Sequence, residues 1–187
     1  MTTIKIKLFN TQIGADFTFL AVVAMFLTLD TTGFALMSLA VCLIHETGHL
    51  AAMIITGRKP DSILFRAGGV KISAATGSDS VFVLIAGSAV NIGLFLALYF
   101  TLPKTDINPV MFAVLNLVIG VFNLLPIGCL DGSRLLALII PEKPLKVIRV
   151  LSVIAVTVAI AAGLMRGGVN FTLAAAMIYI ISMDIFS

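Results

Sequence analysis

The chain has 187 residues, of which 60% are hydrophobic and 11% charged, against about a quarter charged in soluble globular proteins, so an ordinary soluble protein is excluded and an integral membrane protein expected. At roughly 20 residues per spanning helix there is room for about six spans and no sizeable soluble domain, which leaves regulation to a separate membrane protein. The net charge of +3 comes from Lys and Arg scattered singly or in pairs. Without a basic run, nucleic acid is not expected as a partner, and the basic residues are left to set topology in a lipid bilayer.

In chain order, Ile4-Lys5-Ile6-Lys7-Leu8 alternates apolar and basic side chains, a period of two that suits a short strand or an interfacial segment. The apolar stretch behind it has no convincing small-residue cleavage site and reads as an uncleaved first span. Six apolar segments are predicted, at 14–29, 33–56, 80–102, 109–127, 146–164 and 169–186. The first two are joined only by Asp30-Thr31-Thr32 and should form a tight antiparallel pair. Between the second and third, Ser62-Ile63-Leu64-Phe65-Arg66 and Val70-Lys71-Ile72-Ser73 flank Ala67-Gly68-Gly69, the pattern of a β-hairpin with a glycine turn. The expected fold is an all-α polytopic membrane protein of about six transmembrane helices with a small membrane-associated β-hairpin, forming a single membrane-embedded domain over residues 1–187.

If the N-terminus is cytoplasmic, one side of the membrane collects Lys5, Lys7, Arg58, Lys59, Arg66, Lys71, Arg134, Lys143, Lys146 and Arg149, and the other only Lys104 and Arg166. The positive-inside rule then predicts a multi-pass protein with both termini, and the hairpin, in the cytoplasm.

The second segment carries His45-Glu46-Thr47-Gly48-His49, which holds both histidines of the chain. On a helix, positions i and i+4 share a face, so His45 and His49 can offer two imidazole nitrogens to one metal ion with Glu46 beside it as general base. A catalytic zinc site commonly has a third protein ligand and an open position for water. Asp131 is the candidate, because it ends Asn123-Leu124-Leu125-Pro126-Ile127-Gly128-Cys129-Leu130-Asp131-Gly132, where Pro126, Gly128 and Gly132 break the helix. Irregular backbone at membrane depth is tolerated where it is buried in protein or lines a wet cavity, and an aspartate there calls for a cationic partner. The plain alternative for Asp131 is a turn or helix-cap aspartate. Cys42 and Cys129 are near the motif and Asp131 respectively, but a fourth protein thiolate would close the site to water, so both are read as small apolar residues and no disulfide is expected.

These residues resemble the site-2 proteases, a family of intramembrane zinc metalloproteases, in particular the compact branch that includes the stage IV sporulation protease. The resemblance rests on His45 to His49, the Gly68-Gly69 hairpin, Ala86-Gly87-Ser88-Ala89-Val90-Asn91 and the block from Asn123 to Gly132. It departs from the family at Ser88, where relatives commonly have proline, and at Gly128 and Cys129, at one or both of which they do. The resemblance implies one Zn²⁺ held by His45, His49 and Asp131, with Glu46 as catalytic base and Asn123 and Asn91 as polar groups that hold substrate or stabilise the oxyanion. It also implies an endopeptidase that hydrolyses peptide bonds in or near transmembrane segments of substrate proteins. His45 lies about 12 residues, or roughly 18 Å, from the outer end of its segment, on the cytoplasmic side of the midplane. The rival reading is a divalent-metal transporter, which would need access from both sides and gives no role to a base beside the ligands.

Overall fold

The computed structural model describes residues 3–8, 11–66, 69–74, 79–103, 105–128 and 130–165. The chain divides into two compact units, Met1–Phe122 and Asn123–Ser187.

In the first unit, β1 (Thr3–Leu8) and β2 (Thr11–Asp16) pair antiparallel, β2 runs parallel to β3 (Ser62–Arg66), and β3 pairs antiparallel with β4 (Gly69–Ser73). They make one four-stranded sheet in the order β1-β2-β3-β4. Two helices, α1 (Phe17–Leu29) and α2 (Phe34–Ile55), form the crossover between the parallel strands; α3 (Val81–Thr101) and α4 (Ile107–Asn123) follow the sheet. The expected hairpin is therefore part of a larger sheet. Residues 14–16, expected at the start of the first span, belong to β2 because Gly14 and Ala15 pair with Leu64 and Phe65, a partnership some fifty residues away that local hydropathy cannot register.

The register sorts the side chains. Rows Ile4-Ala15-Phe65-Val70 and Ile6-Ile13-Ile63-Ile72 are apolar throughout and share one face, whereas Lys5-Gly14-Leu64-Lys71 and Lys7-Gln12-Ser62-Ser73 share the other. Phe65 meets Phe19 of α1 with ring centroids 5.4 Å apart. Ile72 packs against the buried cluster Ala52, Met53 and Val83, contributed by α2 and α3. The apolar face is thus the sheet's attachment to the helices, and Ile4 and Ile6 carry it outward to the exposed edge of β1.

With 22 and 21 residues, α2 and α3 are long and apolar enough to cross a membrane. The 13 residues of α1 span only about 20 Å at 1.5 Å per residue, less than the roughly 30 Å of a hydrocarbon core, and α4 has 17 residues. The fifth expected segment lies within α6 (Glu142–Met165); the sixth, 169–186, lies outside the described residues.

The connection between α1 and α2 is fastened by one carboxylate. Gly33, at the N-cap of α2, has φ +78° and no side chain to cap with, so Asp30 does the capping from three residues back. Its Oδ1 accepts from the Thr32 hydroxyl at 2.6 Å and the Thr32 N–H at 2.9 Å, and its Oδ2 from the Ala35 N–H at 2.7 Å. The Thr32 hydroxyl first, then the Ala35 and Thr32 amides, hold the Asp30 carboxyl below its ordinary value of 3.8. Negative charge is favoured at a helix N-terminus, where amides lack partners.

In the second unit, the chain leaves α4 through an irregular stretch and enters α5 (Asp131–Ala137), then α6. Gly132 is the tight point, because a Cβ there would overlap the Leu124 carbonyl. The stretch folds back against the first turn of α5, and only a residue without a side chain fits between.

Two outcomes follow from these contacts. Asp30→Ala should lower the thermal unfolding midpoint at neutral pH; because the folded-state carboxyl titrates below 3.8, the deficit should persist above that value and vanish as pH falls through the folded pKa. Unfolding scans of parent and variant across that range check this. Gly132→Ala should destabilise by about 3 kcal/mol or more, the upper end of overpacking penalties, and unfolding in mild detergent measures it.

Candidate metal centre

The buried residues of α2 are Val41, His45, Gly48, His49, Ala52 and Met53. This helix is apolar nearly all round, so what selects its inward stripe is fit. A Cβ on Gly48 would stand 2.7 Å from the Ala86 carbonyl oxygen and 2.9 Å from the Gly87 Cα, so α2 and α3 meet at backbone contact here. That approach carries both imidazoles of α2 onto α3.

His49 Nδ1 lies 2.7 Å from the Val83 carbonyl oxygen. A carbonyl only accepts, so Nδ1 carries a proton, and in the neutral ring Nε2 then presents a lone pair. That lone pair faces His45 Nε2 at 3.0 Å, with the rings edge to face at 81° and centroids 4.7 Å apart. His45 and His49 are 3% and 7% exposed. Two buried nitrogens converging so closely require a proton or a cation between them, and a histidine whose far nitrogen donates to a backbone carbonyl is the usual arrangement of a metal ligand. The pair therefore fits a metal ion.

Glu46 follows His45 on α2 and is half-buried. Cys42, three residues before His45, is exposed and so stands apart from the buried pair. Cys129 lies outside the described residues. On α3, Asn91 is fully buried, with its Cβ 3.1 Å from where a Cβ on Gly120 of α4 would be. Neither end of its amide has a hydrogen-bond partner among the described residues, and the same holds for the buried Ser88 hydroxyl one turn earlier.

In the second unit, Asp131 opens α5 and is buried. The cap position is occupied by Leu130, which makes no side-chain cap bond; Asp131 instead has Arg134 Nη1 3.6 Å from its Oδ1. The turn that carries it is held from α6 as well, where Arg149 Nε donates to the fully buried Ser133 Oγ at 2.5 Å. Asn123 is the last residue of α4 and is half-buried.

Sequence reasoning did not find Val83, which acts through its backbone carbonyl and so leaves no mark in residue type. Nor did it find the Arg149–Ser133 bond; Arg149 entered only as a topology charge.

Residues 107–165 match the family model of Peptidase family M50. No curated protein sequence matches the chain. Among solved structures, the site-2 protease from Methanocaldococcus jannaschii is similar over 98% of this chain and 94% of its own, with a TM-score of 0.67 and 20% sequence identity. The M50 match thus covers α4 to α6, and the fold of that site-2 protease is shared over nearly the whole chain.

Proposed function

We propose that the chain is an intramembrane zinc endopeptidase that hydrolyses peptide bonds in or near the transmembrane segments of other proteins. The observation that carries this is the convergence of the His45 and His49 Nε2 atoms at 3.0 Å, with His49 oriented by the Val83 carbonyl and Glu46 next in sequence to the first ligand. In this reading one zinc ion is held by His45, His49 and Asp131, and the chain works as a single membrane-embedded domain of about six spans with both termini cytoplasmic. Zinc bound there supplies Lewis-acid polarisation of the scissile carbonyl and acidifies a water.

The protein's own groups then have separate tasks. Glu46 takes the proton from the attacking water and returns it to the leaving nitrogen, a pair of transfers that general-base catalysis accelerates by about 10²–10⁴-fold. Asn123 and Asn91 supply amide hydrogen bonds to substrate or to the developing oxyanion. The unsatisfied amide of Asn91 supports a polar partner arriving there, since a buried amide without one is costly.

A helical substrate must unwind before its carbonyls can be attacked, because those carbonyls are bonded within its own helix. An unwound segment can add to a free strand edge. The hairpin of β3 and β4 is one place to look for such an edge. With β2 already paired to β3, the hairpin's remaining edge is that of β4, and β1 supplies the other edge of the sheet.

The test is to purify the parent and Glu46→Gln, measure zinc content, and incubate both in vesicles with candidate membrane-spanning substrates. Both should bind about one zinc, with cleavage by the variant reduced at least about 10²-fold. Equal cleavage would remove Glu46 as base. Zinc flux into sealed vesicles without cleavage would instead favour the transporter reading.

A further inference from the structure

We infer that Gly87 is a positioning residue for the metal centre, because its missing side chain leaves the room in which the two imidazoles converge. The inference rests on the reading of His45 and His49 as metal ligands. A Cβ on Gly87 would lie 2.6 Å from His49 Nε2, 2.7 Å from His45 Nε2 and 2.8 Å from His45 Cε1, all closer than the 3.0 Å that real Cβ atoms keep. These three nearest atoms all belong to the imidazoles, and two of them are the nitrogens that would bind the ion.

The other glycines in this packing do something different. At Gly48 the nearest atoms are backbone of α3, the Ala86 carbonyl and the Gly87 Cα, so a side chain there would press the two helices apart. At Gly120 a Cβ would meet Asn91 Cβ at 3.1 Å, Ile92 Cγ1 at 3.2 Å and the Ser88 carbonyl oxygen at 3.2 Å, again packing between helices. At Gly87 alone among these three does the clash fall on the ligand atoms.

The rings have little freedom to yield. His49 is anchored through Nδ1 to Val83, one helical turn before Gly87 on α3. In a regular helix the Val83 carbonyl also accepts from the Gly87 N–H, so one turn of backbone both orients His49 and borders its metal-facing nitrogen. A methyl group at position 87 must therefore swing the imidazoles out of convergence or push α3 away and break the Val83 contact. Either way the donor pair loses its geometry while His45 and His49 remain present.

The experiment compares the parent, Gly87→Ala and Gly48→Ala, purified in detergent. Three quantities are read: zinc affinity by competition with a chelating dye, the visible spectrum after Co²⁺ substitution, and the unfolding midpoint of the metal-stripped protein. Gly87→Ala should bind zinc at least tenfold more weakly and alter the Co²⁺ spectrum, whereas the loss of metal-free midpoint in Gly48→Ala, whose clash is with the backbone of α3, should be the same with or without the two rings. If Gly87→Ala lowers that midpoint too, the loss should disappear in a His45→Ala/His49→Ala background, where no ring remains to clash. An equal loss without the rings, or parental zinc affinity and spectrum in Gly87→Ala, overturns the inference. A parent that binds no more zinc than the His45→Ala/His49→Ala protein overturns the metal reading itself, a result separate from any difference at position 87.

Discussion

The backbone contact between α2 and α3 at Gly48 is the constraint on which the candidate centre depends. Within a bilayer, helices gain little from burying apolar surface against one another, so close association relies on shape and on internal polar bonds. Gly48 provides the shape. The His49–Val83 bond provides the polar contact, and the same bond selects the tautomer that leaves Nε2 available. A larger residue at 48 would therefore separate His49 from the carbonyl that orients it.

The sheet extends that arrangement outward. Its apolar rows rest on α1 through Phe65 and Phe19 and on the Ala52, Met53 and Val83 cluster through Ile72. Val83 thus serves two purposes, with its side chain in the core beneath the sheet and its carbonyl on His49. The edge strand β4 and the turn of α3 that orients His49 are joined by one buried cluster. A peptide held at β4 would be registered against the same turn of α3.

The candidate residues were legible in the sequence because their chemistry is written in rare residue types. His45, Glu46 and His49 stand out in an apolar span, and Asp131 stands out in a helix-breaking stretch; the match of residues 107–165 to Peptidase family M50 agrees with the resemblance they suggested. The limits of α2 and α3 fell within a residue of the expected segments, since long unbroken apolar runs leave little ambiguity. What could not be read was non-local. β2 looked like the start of a span because its partner β3 lies beyond two helices. The short length of α1 follows from the same pairing, which takes residues from its N-terminal side. Backbone contributions such as the Val83 carbonyl are equally invisible, because any residue type could supply them.

The parallel pairing of β2 with β3 also bears on how the chain is assembled. Gln12 to Ala15 cannot meet Ser62 to Phe65 until all of α1 and α2 has been made and turned back on itself. Closing so long a loop is slow relative to forming a helix or a hairpin. During synthesis, α2 must therefore emerge before the sheet is complete, with β1 and β2 waiting as a lone hairpin. A two-stranded hairpin is marginally stable alone, so β3 and β4 must complete the sheet, and the α3 carbonyl that orients His49 arrives later still. The two imidazoles of α2 are therefore made well before the carbonyl and the sheet that hold them in place.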